Sequence, residues 1–207
     1  MKNVTLITHP LVQHNLTWLR HRDTAPQEFR RLLGEVAALM VYEATRSFAV
    51  RREPVETPLA QTQGQRLRRE VVLVPVLRAG LGMLDSILQL IPHARVGFIG
   101  LRRNEETLQA VSYLNSLPAD LGEMEVLLID PMLATGGSAL AALDELTKRK
   151  ARRVRMVNLV AAPEGIRQVH RRYPALPIFT AAIDQRLNDK GYIVPGLGDA
   201  GDRLFGV

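Results

Sequence analysis

The sequence predicts an α/β fold, a parallel sheet flanked by helices, with an N-terminal helical segment and an irregular or hairpin arm in front of it. Two observations carry this reading. Short apolar runs suited to buried strands recur through the latter two thirds of the chain, and stretches of helical periodicity lie between most of them. With no internal repeat, low-complexity tract or Gly/Ser linker, the 207 residues read as one domain, 1–207.

The helical segment occupies about residues 1–47. From Phe29 the apolar residues Leu32, Leu33, Val36 and Met40 recur at helical spacing, which predicts a helix to about Arg46, and Thr24 with Gln27 predicts a capping box ahead of it. The arm, 48–70, is polar, carries Pro54, Pro58 and Gly64, and shows no helical period. The core, 71–183, supplies predicted strands at Val71 to Leu77, Val96 to Leu101, Val126 to Ile129, Val154 to Ala161 and Ile178 to Ile183. Predicted helices lie at Leu81 to Leu90, Ser138 to Ala151 and Glu164 to Tyr173. In such folds ligands bind beyond the carboxyl ends of the strands, so the loops at those ends matter most.

Composition narrows the chemistry. An apolar fraction of 46% with 23% charged residues is that of an ordinary soluble globular protein, and no uncharged apolar run approaches the roughly 18 residues of a membrane span. Met1 to Thr5 lead to His9 and Pro10 without the apolar stretch of a secretory signal, which makes the cytoplasm the expected compartment. Zero cysteines exclude disulfides, thiolate metal sites and a cysteine nucleophile. The net charge of +6 and pI near 10.1 favour an anionic partner: a nucleic acid, a membrane surface or a phosphorylated small molecule. The densest basic clusters, Lys148 to Lys150 and Arg152 to Arg155, are accounted for by a solvated helix end.

One loop stands out. After the strand Val126 to Ile129 come Asp130, Pro131, Met132, Leu133, Ala134, Thr135, Gly136, Gly137 and Ser138, and then Leu140, Leu143 and Leu146 mark the buried face of a helix. Gly136 and Gly137 let the backbone approach a ligand, free N–H groups at the positive helix end stabilise a phosphate, and Thr135 and Ser138 add hydroxyl donors. Asp130 at the strand tip can accept hydrogen bonds from the vicinal hydroxyls of a ribose whose 5-phosphate sits in the loop. The loop is not a Walker motif, because Ser138 and Ala139 stand where lysine and a hydroxyl residue are required. Gly196 to Gly201 match GxGxxG, yet six residues follow, which leaves no room for the helix, strand and ribose-binding acid of a dinucleotide site.

The segment Asp130 to Ser138 resembles the loop that binds phosphoribosyl diphosphate (PRPP) in phosphoribosyltransferases, in the version found in the uracil phosphoribosyltransferase family. Further ordered segments resemble that family: His9 to His14, Tyr42 to Arg46, Leu77 to Met83, Arg103 to Leu108, Val160 to Gly165 and, most specifically, Gly191 to Arg203. The resemblance implies a type I phosphoribosyltransferase fold in which 184–207 form a base-binding hood. It implies formation of UMP and pyrophosphate from uracil and PRPP in pyrimidine salvage. The loop Asp130 to Ser138 would bind the ribose 5-phosphate, and Arg78 and Arg103 the PRPP, with its diphosphate as their partner. Ile193, Gly198, Asp199 and Ala200 would bind uracil. Asp130 and Asp199 would carry catalytic roles, Asp199 also touching PRPP.

Physical chemistry agrees with that assignment. Both arginines end predicted strands on the edge that carries the phosphate loop, and a guanidinium suits bidentate contact with phosphate. A pyrimidinedione presents acceptors and an N–H along one edge, which the backbone of an extended loop can match, and cytosine would set a donor against a donor. Mg²⁺ is expected to enter with PRPP; no His, Asp or Glu cluster has ligand spacing, so no protein metal site is expected. The family also implies a homodimer or larger oligomer and, in some members, GTP as effector. A membrane partner is not expected, and the uracil segment argues against the rival reading of an RNA-binding regulator on the same fold. Arg102, Ala110 and Ser116 stand where family members commonly have tyrosine, proline and lysine. They lie in or near Asn104 to Leu117, which is expected to be a mobile lid.

Overall fold

The computed structural model describes residues 2–103 and 110–207. A short strand, β1 (Val4–Leu6), precedes two helices, α1 (Pro10–Arg20) and α2 (Pro26–Ala44). Each helix has proline in its first turn, where a missing N–H costs no intrahelical bond. The capping box expected at Thr24 and Gln27 does not form. Pro26 sets the start of α2 one residue later, Ala25 becomes the cap, and the Thr24 hydroxyl donates to the Trp18 carbonyl at 2.6 Å, closing the turn between the helices. The arm is a hairpin of β2 (Val50–Glu56) and β3 (Gln61–Leu67), antiparallel with Val50 opposite Leu67 and exposed along both faces.

The rest of the chain alternates as expected. In order come β4 (Val71–Leu77), α3 (Leu81–Leu90), β5 (Arg95–Val96), β6 (Phe98–Arg103), β7 (Ala110–Ser116), β8 (Glu125–Ile129), β9 (Met132–Leu133), α4 (Gly137–Lys148), β10 (Arg153–Ala161), α5 (Pro163–Arg172) and β11 (Ile178–Ile183). Two short strands, β12 (Arg186–Leu187) and β13 (Ile193–Val194), and a helix, α6 (Ala200–Phe205), complete it. That last helix corrects the expectation that none could follow the glycine-rich string. It spans one and a half turns, and no strand comes after it, so the dinucleotide reading still fails.

The main sheet runs β1-β11-β10-β8-β4-β6-β7, parallel except for β7, which is antiparallel to β6. The expected strand from Val96 divides at Gly97, whose N–H donates to the Leu73 carbonyl, leaving β5 and β6 as separate pieces along β4. Within the stretch expected as a lid, the described part is a strand. Ala110 to Ser116 extend the sheet as β7, and Gly100 explains why: a Cβ there would lie 2.5 Å from the Tyr113 ring, so only glycine gives that ring its seat. Residues 104–109 lie outside the described residues.

Strand alternation divides the core in two. On β4 and β8, Leu73, Leu127 and Ile129 face the layer built by α1, α2 and α3, where Leu19, Phe29, Leu33 and Met83 are fully buried. Val72, Val74, Val126 and Leu128 face the opposite layer, against Ala139, Leu143, Leu146, Ile166 and Val169 of α4 and α5. Each such aliphatic side chain contributes about 1.5–3 kcal/mol on burial, which fixes the strand register. The carboxyl ends of β4, β6 and β8 consequently share one edge, and Arg78, Arg103 and Asp130 stand at or just beyond them.

Candidate active site

The phosphate loop is sewn to β10 before it reaches its helix. Asp130 N–H donates to the Val157 carbonyl at 3.2 Å, and the buried Asn158 amide donates to the Asp130 carbonyl at 2.6 Å. The Pro131 carbonyl accepts from Leu159 and Val160, and β9 pairs with Val160 and Ala161. Gly136 then caps α4 at φ +89°, a left-handed conformation that glycine adopts without strain. Pro131, Leu133 and Gly136 are buried, whereas Thr135, Gly137 and Ser138 are exposed at the helix N-terminus. A Cβ on Gly137 would have only the Thr135 hydroxyl nearby, at 3.7 Å, so the space in front of it is open. An anion held there would meet the first N–H groups of α4 and the positive end of its dipole.

Asp130 occupies the strand tip. Its carboxylate accepts from Met132 N–H at 3.3 Å, and burial pushes the carboxyl up to about 7. The residue keeps part of its surface exposed at the mouth of the loop. Among the described residues its carboxylate has no cationic partner, and it is available to accept from hydroxyl groups of a ligand.

Arg78 follows β4 in a tight turn where Gly80 N–H donates to Val76 and Leu81 N–H to Arg78. Its side chain is exposed, with Cζ 5.9 Å from the centroid of Phe205 on α6. Arg103 is the last residue of β6, and its side chain lies outside the described residues.

The C-terminal segment completes the edge. β12 and β13 form an antiparallel ladder with Leu187 opposite Ile193. Ile193 is 4% exposed and packs into the core, so its backbone is the part that can meet a ligand. Gly198 takes φ +80°, and Ala200 is buried at the start of α6. The exposed Asp199 caps that helix, accepting from Asp202 N–H at 3.0 Å. Among the described residues, the N–H groups of Gly198, Asp199 and Ala200 have no hydrogen-bond partner. They form a short row of free donors.

The fold brings these segments together at two contacts. A Cβ on Gly191 would lie 3.6 Å from the Thr135 methyl, so the turn before β13 borders the phosphate loop. The contact between Arg78 and Phe205 joins the β4 turn to α6. Lys148 ends α4 and pairs with Glu145 at 2.5 Å, but the helix-end reading fails for Arg152 to Arg155, where β10 begins: Arg153 lies 3.8 Å from Glu123 and the largely covered Arg155 pairs with the buried Glu125 at 2.6 Å. Sequence reasoning missed Arg20, Asn158 and Asp184, which bond backbone around the site from other elements. A single acid directly after an apolar strand was the only signal for Asp184, and nothing local marks Arg20.

Comparison with known proteins identifies the family. The family model described as uracil phosphoribosyltransferase matches residues 6–207. The chain is 52% identical over 208 residues to a uracil phosphoribosyltransferase of Streptococcus equi subsp. zooepidemicus and 54% identical to that of Clostridium tetani, each covering 100% of both chains. A solved structure of a protein from Aquifex aeolicus is 42% identical with a TM-score of 0.92, covering 99% of this chain and 98% of that one. An adenine phosphoribosyl transferase of Trypanosoma brucei, solved with AMP, pyrophosphate and ribose-5-phosphate, is 14% identical with a TM-score of 0.61 over 96% of this chain and 89% of that one, a likeness of fold. Matched by the family model over residues 6–207 and by relatives over their whole length, this chain belongs to the uracil phosphoribosyltransferase family.

Proposed function

We propose that the protein transfers the phosphoribosyl group of PRPP to uracil, forming UMP and pyrophosphate in pyrimidine salvage in the cytoplasm, within one domain spanning 1–207. The observation that carries the reading is that the segment leading to 198–200 meets the loop before α4, Gly191 lying against the Thr135 methyl. A helix N-terminus with the Asp130 carboxylate beside it suits a ribose 5-phosphate, and unpartnered N–H groups at 198–200 suit a pyrimidine edge.

In this mechanism Thr135, Gly137 and Ser138 hold the 5-phosphate while Asp130 accepts from the ribose hydroxyls. Arg78 and Arg103 take the diphosphate as it leaves, a role suited to their forked donors. The backbone of Ile193 and 198–200 holds uracil so that its nitrogen faces C1 on the side opposite the diphosphate. Positive charge develops at C1 as the bond to pyrophosphate lengthens, and Asp199 stabilises it or takes the proton of the base through the carboxylate oxygen not used in capping. Mg²⁺ would enter with PRPP and neutralise the diphosphate that carries it.

Two further properties belong to the proposal. The exposed β2–β3 hairpin presents Val50, Val55 and Leu67 to solvent and supports assembly into a dimer or larger oligomer. GTP is the expected effector, to be tested by its effect on the rate. No described helix is long and apolar enough to cross a membrane. The test of the reaction is release of pyrophosphate from PRPP and Mg²⁺ against a panel of purines and pyrimidines. Turnover with uracil at least about a hundredfold above cytosine is expected, because a mismatched donor leaves buried polar groups unpaired. Release with a purine, or with no preference, overturns the reading.

A further inference from the structure

Two side chains remote in sequence from the phosphate loop fix the backbone that leads into the row of free donors. Asp184, directly after β11, is 8% exposed. Its carboxylate accepts from Gly196 N–H at 2.8 Å and from the two Nη atoms of Arg20 at 2.6 and 2.8 Å. Arg20, the last residue of α1, also donates to the Gly196 carbonyl at 2.7 Å. One partly buried ion pair therefore holds both the N–H and the C=O of a single residue. Only glycine fits at this position: at φ +63° a Cβ would stand 2.2 Å from the Ile193 carbonyl.

We propose that Arg20 and Asp184 are positioning residues for base recognition. The proposal rests on the reading that uracil binds at Ile193 and Gly198 to Ala200. Neither side chain needs to touch the base. With glycines at 196 and 198, the segment would sample many conformations if left alone, and each would present the N–H groups of 198–200 in a different direction. The ion pair removes that freedom ahead of binding, so the ordering cost is not charged to the base. Arg203 extends the clamp one residue further, donating to the Leu197 carbonyl at 2.8 Å and to the His21 carbonyl at 2.6 Å while lying 4.5 Å from the Phe29 ring. The base segment is thus referenced to α1 and to the turn before α2, not to the phosphate loop alone. A bidentate pair is also directional, which a packing contact is not.

This assignment separates from a purely structural role through the two substrates. Asp184→Asn keeps the shape but removes the charge, and Arg20→Lys keeps a charge but loses the fork. For both, the KM for uracil is expected to rise by about tenfold or more, with the KM for PRPP changed by about twofold or less, because misplacement of recognition groups by a fraction of an ångström acts on the base alone. Arg20→Lys should retain more uracil affinity than Arg20→Ala. Gly198→Pro, assayed in parallel, disrupts the donor row directly. An unchanged uracil KM in Asp184→Asn and Arg20→Lys, together with loss of uracil transfer in Gly198→Pro, would overturn this proposal alone. An unchanged uracil KM in all three would overturn the base-segment reading beneath it. Equal rises in both KM values would assign the pair to general integrity of the fold and overturn the proposal as well. If Asp184→Asn does not fold, the comparison of Arg20→Lys with Arg20→Ala carries the same test.

Discussion

Asp130→Asn removes one charge from the strand tip and leaves the side chain nearly isosteric, so its consequences can be worked from the structure. Burial holds the ligand-free carboxyl near 7 instead of its ordinary 3.8. Two ribose hydroxyls need an ionised acceptor, so binding of PRPP should draw a proton off Asp130. At pH 6 about a tenth of the sites are ionised and at pH 8 about nine tenths, which predicts an affinity gain of about tenfold across that interval. The 5-phosphate of PRPP titrates in the same range, but equally for both proteins, so the wild-type minus variant difference isolates Asp130. Loss of two charge-assisted hydrogen bonds, at about 1.5–3 kcal/mol each, would weaken PRPP binding in the variant by about two to four orders of magnitude at pH 8. Stability moves the other way. A carboxyl whose folded pKa lies above its unfolded value contributes fully below about 3.8 and loses that contribution as pH rises through 7, up to about 4 kcal/mol at about 1.4 kcal/mol per unit. Asp130→Asn should flatten this slope and raise the ligand-free melting temperature at pH 8. Titration calorimetry of PRPP from pH 5.5 to 8.5, with thermal melts, reads both effects. Equal PRPP affinity in the two proteins at pH 8 would refute the assignment of Asp130 to the ribose.

Other variants test separate parts of the site. Gly137→Val meets open space in the fold, so it should leave the melting temperature within a few degrees while its branched side chain excludes the 5-phosphate; unaltered PRPP affinity would mean the loop is misread. Gly198→Pro deletes a free N–H and imposes a negative φ where the chain needs +80°, and should abolish uracil transfer while PRPP binding stays measurable by calorimetry. Asp199→Ala removes the α6 cap at a cost of about 1 kcal/mol in stability; a fall in kcat with PRPP affinity intact would place its contact mainly in the transition state, and equal loss of PRPP affinity would place it on the ground state. Leu127→Ala, in the fully buried centre of β8, should cost about 2–5 kcal/mol by denaturant unfolding with the substrate KM values little changed.

The parts of the fold that sequence made legible are those whose burial imposes a period. The short, predominantly apolar runs of β4, β8, β10 and β11 read as strands covered on both faces, and α3 appears at the expected residues, Leu81–Leu90. Boundaries set by local chemistry were harder. Pro26 outweighed the Thr24 capping signal because a proline fits the first helical position better than the second. The strand β7 lies within Asn104 to Leu117, the stretch expected as a lid, and its pairing with β6 is recognisable only through the missing side chain of Gly100. In the candidate site, the phosphate loop was legible because Asp130 to Ser138 are contiguous between a strand and a helix. Arg20, Asn158 and Asp184 were not, since they reach the site from α1, β10 and the end of β11, and only the folded topology brings them to it.

The central claim is that one edge of the sheet holds a ribose 5-phosphate on the α4 N-terminus and a pyrimidine on the C-terminal backbone. A crystal structure of the protein with UMP tests it most directly. The phosphate is expected within hydrogen-bonding distance of the Gly137 and Ser138 N–H groups, the ribose hydroxyls on Asp130, and the uracil edge on the backbone of 198–200. UMP bound with its phosphate away from α4, or its base away from 198–200, would contradict it.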